Sequence, residues 1–333
     1  MNDFRIESTR GELTESVFRV SVAVVDATGR VVASAGDPAL VTFWRSAAKP
    51  FQAMPLLAGG RADRFGLGDE ELALACASHS SEPMHLEVAR RFLDRIGCAE
   101  SDLACGPHVP LDPVVAARVT REGTALTPVW SNCSGNHAGM LGLARAHEWP
   151  TAGYERAGHP VQERILDEVA RWTDVPRDRI ATGVDGCTTV CFALPLAAMA
   201  LGYARFGVSD DPSARRLREA MIARPALVAG TGRLCTELLA LTSGTVVAKL
   251  GAEGVYSAAL PEAGLGVALK VESGEMRATG AALLGVLRQL LGRYDASGAA
   301  ALAPLARFDP AAVRNTREEI TGVLRSAGSL RFR

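Results

Sequence analysis

The sequence predicts an α+β protein: one mainly antiparallel sheet built from N- and C-terminal strands, with flanking helices from the middle of the chain. Three observations lead there. Strand-like runs lie near both ends of the 333 residues. Helical periodicity fills the interval between them. Strands and helices do not alternate, as the βαβ units of a doubly wound parallel sheet require.

Taken in order, residues 18–35 read as a β-hairpin. Val20, Val22, Val24 and Val25 precede the turn cluster Asp26-Ala27-Thr28-Gly29, after which Val31 and Val32 resume the strand. Residues 47–57, 69–77, 84–96 and 161–172 place apolar side chains at helical spacing. The uncharged run 190–204 reads as a buried core helix, too short for a bilayer span and interrupted by Pro195. Residues 245–250, 254–259 and 265–271 are short β-like runs separated by glycine or proline turns, and 276–291 is helical again. No internal repeat is visible, and 207–212 is the nearest approach to a linker. The expectation is a single catalytic domain over 1–333, with a helical section at about 46–240.

Composition narrows the function. Apolar residues make up 48% of the chain, charged residues 22%, and the formal net charge is −1. Such a chain buries a large core, which excludes dominant disorder. Near-neutrality argues against nucleic acid or an anionic membrane as partner, because phosphate binding needs a cationic excess. Residues 1–16 carry Asp3, Arg5, Glu7, Arg10, Glu12 and Glu15 and no apolar run of signal-peptide type. Seven cysteines cannot all pair within one chain. Reduced thiols in a cytoplasmic protein are the expectation.

The sharpest chemistry is Ser46-Ala47-Ala48-Lys49. On a helix, positions three apart share a face, so the amine reaches the hydroxyl. Pro50 is tolerated only in a first turn, which places the helix start near Ser46 and its positive dipole end beside a developing oxyanion. A neutral lysine can then activate the serine as nucleophile. Ser78-His79-Ser80 follows an apolar helix, and Lys249 interrupts the apolar run Val246, Val247, Ala248, Leu250. A second amine nearby would keep the first neutral by like-charge repulsion. This order of Ser-x-x-Lys, helical-loop serine and late-strand Lys-x-Gly resembles the sites of penicillin-binding proteins and serine β-lactamases. The alternative reading of Ser46 is a solvated helix start, and of Lys249 an edge-strand solubility charge.

Further on, the glycine-punctuated stretch from Ser131 to Met140 runs into an apolar helix, with a companion at Gly183-Val184-Asp185-Gly186-Cys187. Cys133 and Cys187 can each be small buried hydrophobes, and no Cys-x-x-Cys is present.

Arg45 to Pro50, Cys76 to Glu82, the Asn132-Cys133-Ser134-Gly135 loop with His137 to Met140, Asp185-Gly186-Cys187, Gly232 to Thr236 and Lys249-Leu250-Gly251 together resemble the Rhizobium etli-type L-asparaginases. The likeness runs from about Arg19 to Thr321. It implies a serine β-lactamase/glutaminase-like fold, a homodimer, and release of ammonia from L-asparagine with no organic cofactor. It also implies two Ser–Lys tandems, Ser46 with Lys49 and Ser78 with Lys249, and a zinc ion held by Cys133, Cys187 and a lysine. Here Asn136 occupies the lysine's position, an amide ill-suited to thiolate-bound zinc, with His137 the neighbouring donor. Arg45 is the candidate for the substrate carboxylate and Asp185 for its ammonium, with His79 also expected at the substrate. The rival functions are a glutaminase or β-lactamase-like acyl hydrolase of the same fold, and a non-catalytic zinc- or thiol-sensing protein.

Overall fold

The computed structural model describes residues 4–333, apart from the side chains at 62, 296 and 297; residues 1–3 of the charged N-terminal segment lie outside it. The chain divides into two compact units. One comprises Met1–Ala47, Leu194–Val208 and Glu237–Arg333, the other Ala48–Ala193 and Ser209–Thr236.

The first unit is built on a nine-stranded antiparallel sheet. Its longest strand, Leu13–Asp26, changes character half-way. Residues up to Arg19 are mostly exposed and pair with Arg5–Arg10, whereas Val20 to Val25 are buried. The buried half is flanked by Val31–Ala35 and Leu265–Val271 and is correspondingly a β-branched run. The expected hairpin turn is present. Asp26 Oδ1 accepts from the Thr28 and Arg30 backbone N–H groups and the Thr28 hydroxyl, and Gly29 takes φ 95°. Val247–Leu250, Val255–Leu260 and Leu265–Val271 confirm the three late strands.

Two helices cover opposite faces of this sheet, as the register requires. Gly266 shares a face with Ala23 and Val25 and meets the helix Leu196–Val208; a Cβ there would lie 2.0 Å from Ala200 O. Ser326 shares the other face with Ile6 and Phe18 and meets Gly285 of the helix Met276–Tyr294. The first face also carries Lys249, opposite Ser257, which is opposite Ala268.

The second unit is mainly helical. Its centre is Ser134–His147, buried along almost its whole length and rich in small residues. Gly135 lets the end of helix Asp69–Ala75 come so close that a Cβ would sit 2.5 Å from Leu74 O. Pro83, Pro113, Pro160 and Pro212 each open a helix as its first residue, where the missing N–H costs nothing.

The run 190–204 is not one helix. It forms the strand Val190–Pro195, then the helix Leu196–Val208. The β-branched and aromatic Val190 and Phe192 pair with Ala181–Val184, and the proline marks the switch. Arg5–Arg10, Ala311–Arg314 and Ile320–Ala327 are strands that carry no strong local signal. Arg5–Arg10 is largely buried but polar in sequence, the other two are half-exposed, and they are held by pairings such as Arg5 with Ala327. Among the described residues no helix is long and apolar enough to cross a membrane.

Candidate active site

In the first unit, a 3-10 turn, Arg45–Ala48, leads into the α-helix Lys49–Leu57, with Pro50 in its first turn as expected. Arg45 has φ 54°, a left-handed conformation that costs a non-glycine residue energy and clusters at functional sites. The turn is held from the sheet. Trp44 Nε1 donates to Ser257 Oγ at 3.0 Å, and Tyr203 Oη donates to Ala47 O at 2.8 Å. The Trp44 carbonyl also presses against Gly251, where a Cβ would be 2.9 Å away. Ser46 is half-buried within this turn. Lys249, on the neighbouring strand, is 1% exposed and donates to Leu250 O at 2.8 Å.

The second unit holds Lys49, 2% exposed, at the centre of a polar cluster. Its Nζ lies 2.5 Å from Ala77 O, 3.1 Å from Ser78 Oγ and 3.0 Å from Cys133 Sγ. The lysine of the first expected tandem thus donates to the serine of the second. Three acceptors are what an ammonium needs. A neutral amine in the same place keeps two of these bonds and turns its lone pair to the Ser78 hydroxyl.

Cys133 caps the N-terminus of Ser134–His147, where the helix dipole favours an anion. A hydrogen bond from Cys187 holds its thiol down to about 5, with the Lys49 charge and hydrogen bond adding against burial. Cys187 is pushed up by the same shared proton and by burial. Asp185, in the turn between the strands Ala181–Val184 and Val190–Pro195, adds a negative charge that opposes ionisation of both thiols. Thr188 closes that turn with φ 82°, rare for a β-branched residue, and its hydroxyl donates to Ala104 O. A cleft of about 650 Å³ opens beside it, lined in part by Thr182, Val184, Thr188 and Arg156.

His79 is fully buried. Its Nδ1 accepts from Ser81 N and its Nε2 donates to Ser134 Oγ at 2.9 Å, so both ring nitrogens are engaged within the protein. Burial, then the charges of His85 and Lys49, push it well below the usual histidine range. It braces the Ser78 loop against the Cys133 helix, and neither nitrogen is left for a substrate.

Arg233, inside the Gly232–Thr236 motif, clamps the Ser78 loop. Its Nη1 donates to Ser78 O at 2.6 Å and Ala229 O at 3.1 Å, with Ser80 Oγ at 3.4 Å. Glu82 accepts from Thr231 N and Oγ1, and Gly230, at φ 136°, lies so close that a Cβ would meet Ser80 and Glu82 at 2.5 Å. His108, which accepts from Asn132 N at 2.8 Å, had no sequence signal at all.

The donor set does not fit a zinc ion. Among the described residues no three His, Cys, Asp or Glu side chains converge on one point. The Cys133 sulfur already accepts from Lys49 Nζ at 3.0 Å. Asn136 turns its Nδ2 to Ala75 O, leaving Oδ1 buried without a partner. Nor does His137 replace the lysine. Tyr154 Oη accepts from Ala104 N, so its O–H is best satisfied by donating to His137 Nδ1 at 2.5 Å. His137 Nε2 is buried without a hydrogen-bond partner, and no third side chain of the searched types joins it beside the cysteines among the described residues.

A family model described as L-asparaginase II matches residues 6–326. The chain belongs to that family. The family is one of amidohydrolases. A search of curated proteins finds no match. Among solved structures, Mglu in its native form is 16% identical with a TM-score of 0.46; the match covers 83% of this chain and 64% of that one. A β-lactamase (Mb2281c) from Mycobacterium bovis is 12% identical, covering 87% and 94%, with a TM-score of 0.33. Simvastatin synthase (LovD) from Aspergillus terreus is 11% identical, covering 76% and 86%, with a TM-score of 0.30.

Proposed function

We propose that the protein is an L-asparaginase of the Rhizobium etli type, a homodimer that hydrolyses L-asparagine to L-aspartate and ammonia through a lysine-activated serine. The observation that carries this reading is Lys49: a buried amine bonded at once to Ser78 Oγ and Cys133 Sγ, three residues along the chain from Ser46. Ser46 Oγ attacks the side-chain amide carbon while its proton passes to the neutral Lys49 amine. The tetrahedral intermediate collapses, the C–N bond breaks, and Lys49 returns the proton to the departing ammonia. Water then hydrolyses the aspartyl ester by the same route in reverse. Ser46 is favoured as nucleophile because it is half-buried and follows the strained Arg45, whereas Ser78 is only 7% exposed. Ser78 and Lys249 relay protons, Arg45 meets the substrate carboxylate and Asp185 its ammonium group.

Ser46→Ala is expected to lower ammonia release by at least about 10³-fold with the circular dichroism spectrum retained. Hydroxylamine should divert wild-type product to aspartyl-β-hydroxamate, the signature of an acyl-enzyme. The direct Lys49–Ser78 contact favours a second reading, with Ser78 as nucleophile. In that case Ser78→Ala, not Ser46→Ala, abolishes hydroxamate formation. Preference for glutamine or a chromogenic β-lactam over asparagine would replace the substrate and keep the chemistry.

A further inference from the structure

The 36 cationic residues of this chain include only three lysines, Lys49, Lys249 and Lys270; all the rest are arginine. Arginine is always charged, planar and bulky, whereas lysine is a compact charge that tolerates desolvation by shifting its pKa. In a chain that otherwise uses arginine throughout, the three lysines mark places where a guanidinium does not serve. Two of them stand in the proposed mechanism. The third has no part in it so far.

Lys270 lies on the strand Leu265–Val271, on the sheet face that carries Lys249. Lys249 is opposite Ser257, Ser257 is opposite Ala268, and Lys270 is the next residue along that face. Two strand spacings and one pleat repeat put the Cα atoms of Lys249 and Lys270 about 12 Å apart, a span that two lysine side chains and a small amino acid can fill. The Trp44–Ser46 segment sits over the same region, since Trp44 bonds Ser257 and its carbonyl rests on Gly251, whose N–H bonds Val255 O, and Val255 is opposite Lys270.

Among the described residues Lys270 Nζ donates to one acceptor, the Glu253 carbonyl oxygen, so two ammonium N–H groups lack a protein partner. Burial and the charge of Arg45 both lower its pKa, while Glu253 raises it. Two cations that repel one another in a half-buried place, one of them Lys270 with donors to spare, are stabilised by an anion between them.

We infer that Lys270 joins Arg45 in binding the α-carboxylate of the substrate, which makes it a specificity-determining residue for amino-acid amides. This rests on the asparaginase reading above. An arginine at 270 would set two guanidinium planes against each other, while the smaller ammonium leaves room for the carboxylate between them.

The test compares wild type with Lys270→Met and Lys270→Arg on two substrates: L-asparagine, and 3-aminopropanamide, which lacks the carboxylate. Lys270→Met should raise KM for asparagine about 10- to 100-fold with a much smaller change in kcat, the scale of one lost charge-assisted contact. The preference for asparagine over 3-aminopropanamide should fall by the same factor, and Lys270→Arg should recover part of it. L-aspartate binding, measured by calorimetry, should weaken at least tenfold in Lys270→Met. Equal losses on both substrates would make Lys270 a mere tie for the Glu253 turn and overturn the inference, as would unaltered aspartate binding in an active enzyme. A wild type that neither releases ammonia nor binds aspartate would instead remove the asparaginase reading itself, and the inference with it.

Discussion

Replacing Arg233 by methionine removes the clamp on the Ser78 loop while keeping much of the apolar stem. Two good charge-assisted bonds are lost, to Ser78 O at 2.6 Å and Ala229 O at 3.1 Å, along with a marginal one to Ser80 Oγ at 3.4 Å. Hydrogen bonds to charged groups contribute about 1.5–3 kcal/mol each where buried. Arg233 is only partly buried and the loop keeps its own bonds, Ser78 N to Val228 O and His79 N to Asn132 O. The lower end of the range therefore applies, and the expected loss is about 2–3 kcal/mol. The carbonyl left behind belongs to the residue whose hydroxyl faces Lys49, so misplacement reaches the chemistry directly. A shift approaching 1 Å costs on the order of 10²-fold in rate. Urea unfolding and ammonia release on the same preparation measure both effects, and Arg233→Lys should restore only part of either, since an ammonium lacks the planar fork. If Arg233→Met unfolds at the wild-type urea concentration and turns asparagine over at the wild-type kcat, the clamp reasoning is wrong.

Two further outcomes concern the scaffold. Gly266→Ala places a methyl group 2.0 Å from Ala200 O and 2.3 Å from Ala204 N, both backbone atoms, so the helix Leu196–Val208 must lift by more than 1 Å. We expect a loss of about 3 kcal/mol or more by urea unfolding. Gly292→Ala, in the open at an exposed helix position, should gain about 0.5–1 kcal/mol. Similar effects in the two variants would refute the steric account. Glu71 is buried, and burial alone would raise its pKa; the Arg91 bond at 2.7 Å and the Gly68 N–H at 2.9 Å outweigh this and hold it below the usual glutamate value. Its stabilising contribution is therefore complete above about pH 5 and is lost as pH falls through the folded-state pKa. Glu71→Gln should cost about 2 kcal/mol at pH 7 and flatten the acid limb of the stability profile. An unchanged acid limb would exclude Glu71 as a source of it.

The sequence by itself determined what neighbouring residues along the chain can settle. The valine run 20–25 and its Asp-Ala-Thr-Gly turn make a hairpin wherever they are placed. Pro50 limits the helix start, and Ser46, Ser78, Lys49 and Lys249 stand out because polar groups in apolar surroundings need a reason. Local pattern also misled where two elements join without a polar break, as at Pro195. It was silent where strands such as Arg5–Arg10 and Ile320–Ala327 are polar or half-exposed and pair across almost the whole chain. Only the tertiary structure decided what touches what. It turned Lys49 toward Ser78 and Cys133, committed both nitrogens of His79 to the scaffold, and gave Arg233 a task that no spacing foretold. It also brought the Cys133 and Cys187 thiols together and tied the Asn136 amide to Ala75. These outcomes depend on hydrogen-bond partners that lie tens to hundreds of residues apart in sequence. Periodicity carries no information about them, because it is set by the backbone, while partners are set by packing.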